Sequence, residues 1–185
     1  MLSRRQLLKA GGALAGVSAS ALLLESARSA GAGGDGATKR IALFNLHTAE
    51  HLEVEFFRDG AYRSEALAAV EAILRDFRTG EQHPIDPHLL DYLAAVASTL
   101  NAAPSFEVIS GYRSPHTNAA LRNIGRGVAE RSLHMEGRAV DVRMAHVECA
   151  RLAAHAQELK RGGVGYYRGS NFVHLDTGSF RTWKG

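Results

Sequence analysis

The chain has 185 residues, 45% of them hydrophobic and 22% charged, with 22 Lys and Arg against 19 Asp and Glu and a formal net charge of +3. One cysteine excludes an intramolecular disulfide. Arg4, Arg5, Lys9 and Arg28 face only Glu25 within residues 1–32, so the remainder is formally neutral and lacks the basic excess of a nucleic-acid-binding domain.

The N-terminus reads as an export signal. Ser3-Arg4-Arg5-Gln6-Leu7-Leu8-Lys9 carries a twin arginine, the uncharged run Ala10 to Leu24 follows, and Ala30-Gly31-Ala32 supplies a small-residue cleavage pattern. These features predict a Tat-type signal peptide over residues 1–32, read by the Tat export machinery as an address. The run is too short and too rich in Ala, Gly and Ser to span a bilayer comfortably. No cysteine follows it for lipidation, so no membrane anchor is expected after cleavage. The expected location is therefore exported: periplasmic or cell-envelope associated.

Residues 33–39 read as a flexible, Gly- and Ala-rich leader, and residues 40–185 as one domain. Arg40–His47 and His51–Phe57 read as two strands joined by a short loop. In the second, Leu52, Val54 and Phe56 alternate with Glu53 and Glu55. Leu67, Val70, Ile73, Leu74 and Phe77 recur at helical spacing and predict a helix over 64–78. Asp86-Pro87 starts the next helix as cap and first residue. Its apolar face runs from Leu89 to Leu100. A short strand is expected over Phe106–Ile109, a short helix over Asn118–Ile124, and a loop at Gly125–Gly127. A strand follows over Ala139–Arg143, a helix over Glu148–Lys160, and a final strand pair over 164–167 and 171–176. This order lacks regular β-α-β alternation and predicts an α+β fold with an antiparallel sheet and packed helices. Cys149 falls on an apolar helical position and reads as a small core residue.

Ser132-Leu-His-Met-Glu-Gly-Arg-Ala-Val-Asp141 and Phe172-Val-His-Leu-Asp176 carry the chemistry. Two histidines and an aspartate meet the need of a catalytic zinc for three protein ligands and one open position. Asp141 lies between Val140 and Val142, where a carboxylate is costly without a charged partner or a metal. An edge strand with Asp141 facing solvent is the alternative. Residues 172, 174 and 176 share a strand face, so His174 and Asp176 project together. The other histidines singled out, His47, His51, His83, His88, His146 and His155, read as surface or satisfied core residues.

Ser110-Gly-Tyr-Arg-Ser114, Ser132-x-His134-x-x-Gly137-x-Ala139-x-Asp141 and the late His174 resemble the zinc D-Ala-D-Ala carboxypeptidase and murein endopeptidase superfamily. Tyr112-Arg113-Ser114-Pro115-x-Thr117-Asn118, Leu121-Arg122, Gly162-Gly163-Val164-Gly165-Tyr166-Tyr167, Phe172-Val173-His174-x-Asp176-Thr177-Gly178 and Arg181-x-Trp183 are similar, in order, to the murein endopeptidase K-like family within it. The resemblance covers roughly residues 40–184. It implies a Hedgehog/D-Ala-D-Ala peptidase-like fold and one Zn2+ per chain, held by His134, Asp141 and His174. It implies hydrolysis of peptide bonds in peptidoglycan stems or cross-links by a zinc-activated water. A D-Ala-D-Ala carboxypeptidase and a non-catalytic, zinc-bearing peptidoglycan-binding module are the alternatives. Arg113, a permanently charged fork, is the candidate for a substrate carboxylate. Tyr166 is the candidate substrate-binding aromatic, and Trp183 is expected to anchor the C-terminal strand. Related dipeptidases carry a glutamate base three residues before the last histidine, where this chain has Asn171. Asp176 is therefore the candidate catalytic base, with an orienting role as the other option and Glu136 as a weaker candidate.

Overall fold

Alternation of apolar and polar residues builds one sheet. A computed structural model describes residues 37–124 and 128–185. The expected signal peptide, the first residues of the leader and the Gly125–Gly127 loop lie outside them. In chain order the elements are β1 (Lys39–Asn45), β2 (His51–Arg58), β3 (Ala61–Tyr62), α1 (Ser64–Ile73), α2 (Pro87–Thr99), β4 (Ser105–Ser110), α3 (Pro115–Asn123), a 3-10 turn (Leu133–Glu136), β5 (Ala139–Arg143), α4 (Cys149–Leu159), β6 (Gly163–Tyr167), β7 (Phe172–Asp176) and β8 (Arg181–Lys184). The fold is α+β, as expected. No helix among the described residues is long and apolar enough to cross a membrane.

The strands lie in the order β3-β2-β1-β4-β5-β7-β6-β8. The centre is antiparallel, β4 to β5 and β5 to β7, and so are β1–β2, β2–β3 and β6–β7. Two pairings depart from the expected antiparallel sheet: β1 runs parallel to β4, and β6 parallel to β8. The first is possible because α1 and α2 make the long connection that parallel neighbours require.

One face of the sheet is apolar. Ile41, Leu43, Phe106, Val108, Val140, Val142, Val164, Val173 and Leu175 are buried there in one cluster with Val70, Leu89, Leu93, Val96, Leu152 and Ala156 of the helices. The period of two then turns Asp141 and His174 to the opposite face. Core packing thus fixes which residues face away from the helices.

Helix α1 ends at Ile73, earlier than its apolar period suggests. The chain turns at Asp76, whose carbonyl accepts from Thr79 and Gly80. Phe77 keeps its spacing but stacks on His47, with ring centroids 3.8 Å apart. Helix α3 begins at Pro115, three residues before the expected start. Ser114 caps it by accepting from Thr117 N–H at 3.2 Å, and Pro115 fits the first position, where no N–H is needed. Cys149 is buried at the start of α4.

Candidate metal centre

Strand register brings the three expected ligands together. Asp141 on β5 lies directly opposite His174 on β7. A shift in register between Val108 and Ser110 sets Ser110 beside Asp141 on the other flank. His134 arrives from the 3-10 turn. Gly137 ends that turn with φ of 66°, and a Cβ there would stand 2.0 Å from the Pro84 carbonyl oxygen, so only glycine fits both the conformation and the space.

The donor atoms converge. His134 Nε2 lies 3.2 Å from His174 Nδ1, His174 Nδ1 lies 2.9 Å from Asp141 Oδ1, and His134 Nε2 lies 3.3 Å from Asp141 Oδ1. Ligand bonds of about 2.0–2.1 Å in a tetrahedron give ligand-to-ligand distances of about 3.3 Å, so the spacing matches a zinc-sized cation. Among the described residues these three are the group of this kind that can hold a metal.

The outer hydrogen bonds fix which ring nitrogens are free. His134 Nδ1 stands 2.7 Å from the Gly111 carbonyl oxygen, which only accepts, so Nδ1 carries the proton and Nε2 keeps its lone pair. His174 Nε2 donates to Asp176 Oδ2 at 3.0 Å, leaving the Nδ1 lone pair inward. Two lone pairs and a carboxylate oxygen thus point at one spot, an arrangement that repels itself unless a cation sits among them. This donor chemistry fits the metal.

The charges follow the same geometry. Burial lowers the His134 pKa, holding the ring neutral, although Asp141 pulls the other way. Burial opposes ionisation of Asp141, but His134 and His174 outweigh it and hold its carboxyl well below the usual range. Burial also opposes charge on His174, yet Asp141 and Asp176 at its two ring nitrogens push its pKa up to about 9. The pull toward a proton is the pull the trio exerts on any cation.

Asp176, the expected base, is placed differently. It is 0% exposed. Oδ1 accepts from Gly163 N–H at 3.0 Å, Gly178 N–H at 2.8 Å and Arg181 Nη1 at 3.0 Å. Oδ2 accepts from Arg181 Nη2 at 2.7 Å and from His174. No face is left for a water. Burial raises its pKa, but His174 and Arg181 more than reverse that, and the carboxyl sits well below its ordinary value. The contacts are those of a group that orients His174 and not of one that takes a substrate proton.

Asn171 and Glu136 stand away from such a role as well. Asn171 occupies the β6–β7 turn with φ of 53°, a conformation in which asparagine is favoured over glutamate. Glu136 is exposed and pairs with Arg138 at 3.1 Å.

Arg113 is brought to the site. It is 8% exposed, its Nη2 lies 3.7 Å from Asp141 Oδ2, and its Nε has no partner. Tyr166 is not brought there. On β6, Tyr166 is opposite Val173 and packs on the core, whereas Tyr167 is opposite Phe172 on the ligand face. Tyr166 instead lines a cavity of about 510 Å³ at the end of the sheet with Arg143, Met144 and Asn171.

One residue, Asp76, escaped the sequence reading, and another was read only for its packing. Trp183, expected as an anchor, has its ring centroid 5.2 Å from that of His174. Asp76 is 1% exposed and holds the Arg113 segment: its Oδ2 accepts from Ser114 N–H at 2.9 Å and Oγ–H at 2.8 Å, and its Oδ1 from Arg78 N–H at 3.0 Å. The acidic residue inside a broken helical period was its only trace in the sequence. Burial raises the Asp76 pKa, but bonds from Thr117, Ser114 and Arg78 outweigh it and lower it. A depressed pKa stabilises the fold above the unfolded carboxyl pKa and loses that contribution as pH falls through the folded value. Asp76→Ala is expected to cost about 2–3 kcal/mol at pH 7, with the gap to wild type narrowing below about pH 4 in urea titrations.

An α+β domain with two histidines and an aspartate on the free side of its sheet, both imidazoles locked from behind, belongs to the class of folds of the D-Ala-D-Ala peptidase type. The Peptidase_M15_2 family, described as Peptidoglycan L,D-endopeptidase MepK, matches residues 35–183, and the chain belongs to that family. It is 42% identical over 148 residues to the probable peptidoglycan L,D-endopeptidase MepK of Haemophilus influenzae, covering 79% of this chain and 80% of the relative. It is 41% identical over 143 residues to peptidoglycan L,D-endopeptidase MepK of Escherichia coli K12, covering 77% and 79%. The Shigella flexneri protein of the same name matches to the same extent. No solved structure matches the chain.

Proposed function

We propose that this protein is an exported, zinc-dependent endopeptidase that hydrolyses peptide bonds in peptidoglycan cross-links. The observation that carries the reading is the convergence of His134 Nε2, Asp141 Oδ1 and His174 Nδ1 within 3.3 Å, in a chain whose relatives are named peptidoglycan L,D-endopeptidases. By the same names, the bond cleaved joins an L-configured carbonyl to a D-configured amine.

When bound, zinc supplies a Lewis acid for the scissile carbonyl and for water at neutral pH. The protein's own residues do the rest. The Gly111 carbonyl and Asp176 keep the two imidazoles turned so that their lone pairs stay inward. Arg181, paired with Asp176, keeps that carboxylate charged and fixed. Arg113 presents unspent N–H donors beside Asp141 and receives a carboxylate of the peptide or the charge that develops on the carbonyl oxygen. The trio contributes one negative charge, so with a divalent ion and Arg113 the site is net positive, suited to acidic peptide stems. Delivery by the twin-arginine signal would bring the enzyme to where this polymer is found.

The test is digestion of purified cell-wall sacculi by the zinc-loaded protein, with mass spectrometry of the released muropeptides. Cross-linked dimers are expected to fall to monomers, the reaction to stop with a chelator, and added zinc to restore it. Removal of a single terminal D-Ala would assign a carboxypeptidase instead. Binding without bond cleavage would assign a non-catalytic module.

A further inference from the structure

The face that carries the trio also carries a row of aromatic rings. Gly165 on β6 is opposite both His174 on β7 and Trp183 on β8, so the three positions lie side by side across the sheet. A Cβ on Gly165 would stand 2.4 Å from Trp183 Cε2. The indole therefore lies flat against the backbone of β6, in space that any side chain at 165 would fill. Its Nε1–H donates to Tyr167 Oη at 3.0 Å, which fixes the ring's orientation. Tyr167 in turn stacks on Phe172 with centroids 4.5 Å apart and planes 18° apart. On the other side, the Arg181 guanidinium lies 5.1 Å from the Trp183 ring while bonded to Asp176.

These rings are half-buried and stand outside the apolar cluster between sheet and helices. Packing of the core does not require them. A contiguous aromatic surface left open to solvent is a feature of binding sites. Its polar edge is already spent internally, since the indole N–H is bonded to Tyr167, so the exposed part offers hydrocarbon contact.

We propose that Trp183, Tyr167 and Phe172 form a substrate subsite beside the metal centre, which takes an aliphatic portion of the peptide flanking the scissile bond, with Trp183 as its specificity-determining residue. The proposal rests on the peptidase reading for its substrate. Gly165 is the positioning residue that lets the indole reach the site. The ring contributes contact area to the bound peptide and takes no part in proton transfer.

The chain contains one tryptophan, so emission excited at the long-wavelength edge, where the five tyrosines scarcely absorb, reports on this ring alone. The zinc-loaded protein is titrated with uncross-linked muropeptide monomers, the product an endopeptidase leaves intact. A saturable blue shift is expected as the peptide covers the ring. Binding seen by calorimetry with unchanged emission overturns the subsite. In kinetics on cross-linked dimers, Trp183→Ala is expected to raise KM about tenfold or more while kcat changes little and one zinc is retained. Trp183→Phe is expected to fall between it and wild type. An unchanged KM in Trp183→Phe and Trp183→Ala overturns the proposal, as does a KM effect that tracks loss of zinc. Should Trp183→Ala fail to fold, the emission titration and Trp183→Phe decide. Failure of wild type to cleave dimers sinks the peptidase reading separately, because the monomer titration needs no turnover.

Discussion

His134→Ala is expected to purify without zinc, with its release of muropeptides from sacculi falling to background. The expectation follows from how little slack the site has. His134 is buried, and its Nε2 lies 3.2 and 3.3 Å from the other two donor atoms. Removing it leaves two ligands, too few for a closed structural or open catalytic zinc site. It also leaves Asp141, 6% exposed, with Arg113 at 3.7 Å and His174 as its remaining partners. Melting temperature separates the two effects: a folded His134→Ala protein with no zinc and no turnover supports the metal reading. Turnover that survives this substitution would remove the trio from the reaction.

Asp176→Asn is the second large effect, and its form distinguishes an orienting group from a base. The amide would keep one acceptor but lose the charge that Arg181 and His174 both face. The imidazole is then less firmly held in the tautomer with Nδ1 free, and zinc affinity is expected to drop about 10–100-fold. Chelator competition measures that drop directly. Excess zinc is expected to restore much of the turnover. A variant that binds zinc as wild type does, yet stays inactive at saturating metal, would return Asp176 to the proton-accepting role.

The convergence of the donor trio was legible because its logic is local. An aspartate and a histidine in apolar strands, with a second histidine in the turn just before β5, are rare without a cation, and their motifs sit within short segments. The surroundings of Asp176 were not legible, since they depend on which groups the fold brings to the carboxylate. Gly163, Gly178 and Arg181 reach it only through the pairing of β6, the β7–β8 turn and β8. The two adjacent tyrosines show the same limit. Strand alternation guarantees that Tyr166 and Tyr167 face opposite ways, but a run of Gly and Tyr does not say which faces the ligands. Register with His174 and Phe172 decides it for Tyr167. Trp183 packs on β6 as an anchor would, but its nearness to His174 was not legible because it is set by a parallel pairing far from any turn signal. Helix α1 is shorter than its apolar period because Asp76 serves the Arg113 segment instead of the helix.

The bond from Arg181 to Asp176 reaches the candidate metal centre from β8, which follows all three donor residues in the sequence. A ribosome adds residues from the N-terminus onward, so His134 and Asp141 emerge well before His174, and the brace at Arg181 comes after all three. A nascent or prematurely terminated chain holds only part of the donor set and has no stiffened imidazole. If the trio holds zinc, tight capture is therefore deferred until β8 has been made, and a fragment lacking β8 is expected to bind zinc weakly even with all three ligands present.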